Sequence, residues 1–80
     1  MTTLRITKDM LDADNVYAGE TDVTAFDGSI QIAGGLGWVK FRDGVSVTGS
    51  LIAEAGSGIE AGWGIEAGWG IEAGWGIEAG

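Results

Sequence analysis

The chain has no cysteine, no histidine and no proline among its 80 residues. Without cysteine there are no disulfides and no thiolate metal sites. Without histidine the commonest acid/base group and the commonest metal ligand are missing. Ser-His-Asp and Cys-His constellations are therefore excluded. Bases are scarce as well: Arg5, Lys8, Lys40 and Arg42 face twelve acids, for a formal charge of −8. Nucleic-acid affinity rests on Lys and Arg meeting phosphates, so no nucleic-acid partner is expected. No stretch approaches the roughly 20 apolar residues of a membrane helix. The N-terminal MTTLRITKDM lacks the apolar run of a signal peptide. No membrane association is expected, and the default location is cytoplasmic.

What the chain has instead is glycine, 16 residues of it, and an unbroken short repeat. Gly58-Ile59-Glu60-Ala61-Gly62-Trp63 begins again at Gly64, Gly70 and Gly76 without a substitution. Stepping back by sixes, the pattern fades through Ser50–Ala55 and Gly44–Gly49 to Trp38–Asp43. Within this frame the odd positions are mostly apolar, from Val39 and Phe41 through Val45, Val47 and Leu51 to Ile59 and Ala61. The even positions, such as Lys40, Ser46, Thr48, Glu54 and Glu60, are mostly polar or glycine. A period of two places successive side chains on opposite faces, which is the signature of a strand.

A strand of forty residues is not credible, because strands usually run about 3–10 residues. The glycines must mark bends. A bend every six residues, always in one sense, closes three short sides into a coil of about 18 residues. Such coils superpose at roughly 4.8 Å through parallel backbone hydrogen bonds. The expected fold is all-β: a single-chain parallel β-solenoid with triangular coils, its handedness left open. Residues 44–80 are expected to form the regular coils. Ile59, Ile65, Ile71 and Ile77 should line the core with Ala61, Ala67, Ala73 and Ala79. Residues 1–43 are expected to form irregular first coils and an N-terminal cap, since terminal repeats are atypical. Leu4–Ile6, Asn15–Gly19 and Ser29–Ala33 read as strands, Thr7–Asp12 as a turn or one helical turn, and Gly34-Gly35 as a turn.

The six-residue period resembles the hexapeptide-repeat left-handed β-helix family. Ile59-Glu60-Ala61-Gly62 fits that family's opening positions, and Ser57 fits its small position. Trp63, Trp69 and Trp75 do not. The resemblance implies a triangular coil. The acyltransferase activity of many members does not carry over, because it uses a histidine. Val45–Ala55 is also similar, more weakly, to bactofilins, which are β-helical polymer-forming proteins. Identical repeats point to a segment that is engineered, trimmed or recently expanded.

No catalytic, cofactor or metal site is expected. The Glu54, Glu60, Glu66, Glu72 and Glu78 series reads as a solvated face. Asp9, Asp12, Asp14 and Asn15 match only half of a calcium-loop pattern and read as a capping loop. Trp63, Trp69 and Trp75 are expected at corners or an interface, since Ser57 holds the corresponding place one unit earlier. Together with Ile77 and Ala79 they form the candidate interface. The function expected is structural: a homo-oligomer, either dimer or filament, joined through C-terminal coils that have no closing segment. The alternatives are a binding module with a flat tryptophan face for sugar or a regular surface, and a rigid segment of a phage or surface fibre. An enzyme is not expected.

Overall fold

The computed structural model describes residues 2–79, Ala79 through its backbone alone. The protein is all-β, with two single-turn 3₁₀ helices and no α-helix among the described residues. The strands are β1 (Thr2–Ile6), β2 (Gly28–Ile32), β3 (Gly37–Phe41), β4 (Val45–Val47), β5 (Ser50–Ala53), β6 (Ser57–Ala61), β7 (Ile65–Ala67), β8 (Gly70–Ala73) and β9 (Ile77–Ala79). All strand pairs are parallel. They make three sheets: β1-β2-β5-β8, β3-β6-β9 and β4-β7. From β2 onward the chain visits the first, second and third sheet in strict rotation.

The alternating pattern dictates which side chains meet. In the first sheet Leu4, Ile30, Leu51 and Ile71 stand in one register column, and Ile6, Ile32, Ala53 and Ala73 in the next. In the second sheet Val39, Ile59 and Ile77 are aligned; in the third, Val45 and Ile65. These columns form the core, with Ile6, Ile30, Ile32, Val39, Leu51 and Ile59 fully buried. Each such side chain contributes roughly 1.5–3 kcal/mol by leaving water.

The circuit is not a constant 18 residues. Ile30 pairs with Leu51, 21 positions on. Val39 pairs with Ile59 and Val45 with Ile65, both 20 on. Only Ile59 with Ile77 gives 18. The difference arises at one corner. The inward residues before and after it are Ile32 and Val39 in the first turn, Ala53 and Ile59 in the next, and Ala73 and Ile77 in the last. The middle corner thus carries a two-residue insertion into the frame of sixes, Ala55-Gly56, because the Gly74 N–H bonds back to the Ala53 carbonyl and the Trp75 N–H to the Ser57 carbonyl. An even insertion leaves the in–out parity intact, so the pattern alone does not reveal it. Ser57 keeps the place two residues before the inward isoleucine that Trp63 has, and it lies opposite Trp75, but it is not an exposed corner residue. It is fully buried, donates to the Ala33 carbonyl at 2.6 Å and accepts from the Leu36 N–H at 3.1 Å.

Corner glycines lie under carbonyls of the preceding circuit. A Cβ at Gly62 would stand 2.5 Å from the Arg42 oxygen, and one at Gly74 would stand 2.7 Å from the Glu54 oxygen. Any side chain there would force the circuits apart.

The N-terminal segment finishes the first circuit with single bridges. Val16 meets Lys40 and Phe26 meets Val47, both in parallel sense. The strand expected over Asn15–Gly19 is thus reduced to Val16 and Tyr17. Asn15 adopts φ 66°, and its side-chain amide donates to the Leu36 and Trp38 carbonyls at 2.7 and 2.8 Å. Asp12 accepts from the N–H groups of Asp14 and Val16, which shapes the acidic segment into a turn. These bonds hold the Asp12 carboxyl below its usual range. Within Thr7–Asp12, expected as a turn or one helical turn, Lys8–Met10 forms a single 3₁₀ turn, and the Thr7 side chain makes no capping bond to the backbone.

Candidate functional site at the terminal layer

The last circuit repeats the composition of the earlier ones, but its burial differs. Ile59 is fully buried, Ile65 and Ile71 are half-buried, and Ile77 is 43% exposed. Ile77 therefore does not line a closed core as the repeat suggests. Its column has Ile59 on one side and no strand on the other among the described residues. The side chain of Ala79 lies outside the described residues.

The backbone is open in the same place. The Ile59 N–H donates to the Gly76 carbonyl at 3.0 Å, so inward-facing residues direct their backbone groups toward the following circuit. Gly62, Gly68 and Gly74 donate backward, to the carbonyls of Phe41, Val47 and Ala53. By this alternation the backbone groups of Ile65, Ile71 and Ile77 point where no described strand lies. Among the described residues β7, β8 and β9 thus present three bare edges at one end of the molecule. Unpaired strand edges template pairing with another chain.

Each bare strand carries one outward carboxylate: Glu66, Glu72 and Glu78, all exposed. Glu78 stands in register with Glu60, and Glu60 with Lys40. Among the described residues no group of three or more His, Cys, Asp or Glu is placed to hold a metal ion.

The tryptophans are exposed, Trp63 by 81%, Trp69 by 72% and Trp75 by 57%. Their apolar parity does not bring them inward, because each sits in a bend rather than a strand. Trp63 follows β6, Trp69 follows β7 and Trp75 follows β8. They therefore occupy three different corners and form no single flat face. Trp63 borders a groove with Val45, Ser46 and Glu66, and Trp69 borders another with Ser50, Ile52 and Glu72. Trp75 packs edge-on against Trp38, with ring centroids 6.2 Å apart. That contact accounts for its lower exposure.

One polar cluster was not legible as such in the sequence. Glu54 turns the corner after β5 and accepts from Arg5 at 3.1 Å, Gln31 at 2.8 Å and the Gly34 N–H at 3.2 Å. Hydrogen bonding to Arg5 is the chief cause that holds the Glu54 carboxyl below its usual range, and the same bond raises the Arg5 guanidinium. Outward parity for Arg5 and Gln31 was the available signal. The 26- and 21-residue spacings that align them with β5 were not.

Among the described residues no helix is long and apolar enough to cross a membrane. Comparison with known proteins found no matching family model, no matching curated protein and no matching solved structure.

Proposed function

We propose that the protein is a structural element: a three-sided parallel β-solenoid that assembles with further protein through its C-terminal layer. The carrying observation is the coincidence of three bare strand edges with an apolar interior open at Ile77. Pairing there would satisfy backbone groups and bury Ile65, Ile71 and Ile77 together. The rotation of strands through three sheets supports the solenoid, and the six-residue step between corners supports the likeness to hexapeptide-repeat proteins. The absence of histidine and cysteine agrees with a scaffold rather than an enzyme. Sedimentation across a concentration series tests the proposal. Mass should rise with concentration, and Ile71→Asp, which puts a charge on the open interior, should hold the chain at one copy. A wild-type chain that stays monomeric at millimolar concentration would remove it.

The exposure of Trp63 and Trp69 favours a second reading, in which each corner groove stacks a flat ligand such as a sugar ring. Tryptophan emission that shifts on adding oligosaccharide would support it; unchanged emission would leave the scaffold alone.

A further inference from the structure

Of the three C-terminal edges, that of β8 has a complement at the other end of the molecule. Among the described residues β1 pairs with β2 alone. The Ile6 carbonyl accepts from the Ala33 N–H at 2.9 Å, on the β2 side. By alternation, the backbone groups of Thr3 and Arg5 point away from β2, into the open. The second and third sheets are closed at this end by the Val16 and Phe26 bridges, and Leu11 lies antiparallel to Tyr17. Among the described residues the N-terminal end therefore offers one bare edge, and that edge belongs to the same sheet as β8.

We propose that copies of this chain join head to tail, with β8 of one copy pairing in parallel with β1 of the next. The inference rests on the C-terminal association proposed above and names its partner surface. The existing sheet dictates the register. Leu4, Ile30, Leu51 and Ile71 already share a column, as do Ile6, Ile32, Ala53 and Ala73. Continuing both columns sets Ile71 against Leu4 of the next copy and Ala73 against Ile6. The Ile71 N–H then donates to the Thr3 carbonyl, and the Ile71 carbonyl accepts from the Arg5 N–H. This repeats the pattern that joins Ile59 to Gly76.

Charge selects this arrangement over one in which two C-terminal layers meet. Residues 44–80 contain five glutamates and no lysine or arginine. Two such layers face to face would oppose Glu66, Glu72 and Glu78 with the same three carboxylates. Head to tail, Glu72 falls beside Arg5 of the next copy on the outer face, where like charges are replaced by opposite ones. Continuing the sheet in one direction advances each copy along the stacking axis instead of returning to the first, so this head-to-tail contact yields an open filament rather than a dimer.

Two variants, each blocking one end, test this by sedimentation velocity. Arg5→Pro removes an N–H that no strand within the molecule uses, and an edge strand tolerates proline. Ile71→Asp blocks the other end. The wild type should grow in mass without a plateau. Each variant alone should be monomeric, and an equimolar mixture should form a 1:1 dimer. Arg5→Pro that still dimerises alone would overturn the head-to-tail junction while leaving C-terminal association intact. A monomeric wild type would overturn both. A charge exchange keeps the test independent of the proline. Arg5→Glu and Glu72→Arg should each weaken association, by about three- to tenfold. With Glu54→Gln as the common background, which removes the carboxylate that Arg5 meets within its own copy, the double variant should restore association, and failure of that rescue would also overturn the junction.

Discussion

The middle circuits and the last circuit are built from the same kinds of residue, yet only the middle ones own a closed interior. Ile59 and Ile77 share a column, a neighbourhood of Gly, Glu and Ala, and a place in the repeat. One is fully buried and the other 43% exposed. The difference teaches that burial here belongs to the layer above and below, not to the repeat unit. A hexapeptide specifies where a side chain points. Its neighbours along the stacking direction decide what that is worth.

The largest expected effect breaks the comparison directly. Ile59→Ala should destabilise by about 2–5 kcal/mol, since it leaves a cavity between two occupied layers. Ile77→Ala should cost about 1 kcal/mol or less, because much of its surface is already in water. Urea unfolding of the dilute protein measures both. Equal losses would mean that the terminal layer is packed like the middle ones.

A smaller effect separates the two glycines that flank Trp69. A methyl at Gly68 would press on the Thr48 carbonyl of the preceding circuit, whereas one at Gly70 meets nothing within 4 Å. Gly68→Ala should therefore cost about 1–3 kcal/mol. Gly70→Ala should change stability by about 0.5 kcal/mol at most. Midpoints of thermal unfolding suffice to rank them.

The smallest effect concerns the polar clamp that the first circuits have and the last lacks. The Glu54 carboxyl has a lowered pKa in the folded protein, chiefly through Arg5. A depressed folded value adds stability above the unfolded value and loses it as pH falls through the folded one. Stability should therefore decline below the ordinary glutamate range, and Glu54→Gln should flatten part of that decline. The pair is exposed, so solvent screening keeps the change small. An unaltered acid limb in the variant would show that the clamp carries no linkage.

Much of the strand pattern was legible because parity is a local property. Val39, Phe41, Val45, Val47 and Leu51 alternate with polar residues, and each faces inward as the alternation requires. The six-residue step was equally plain from Gly58 onward. The 20-residue circuits were not, because Ala55-Gly56 adds two residues without disturbing parity. Ser57 does hold the place of Trp63 one unit earlier, but it is a buried hydrogen-bonding residue rather than an exposed one. The corners at Trp63, Trp69 and Trp75 followed from the glycines beside them. That the three rings stand on three different corners depends on where the chain turns, which no single repeat encodes. The Arg5–Glu54 pairing was hidden for a similar reason, since its partners lie 49 residues apart.

Residue-resolved hydrogen exchange on the dilute chain is the most direct test of the open terminal layer. The Gly68 and Gly74 amides, bonded backward to Val47 and Ala53, should exchange slowly. The Ile71 and Ile77 amides, pointing forward to no described strand, should exchange at nearly unprotected rates. Equal protection of both sets in monomeric protein would contradict the account.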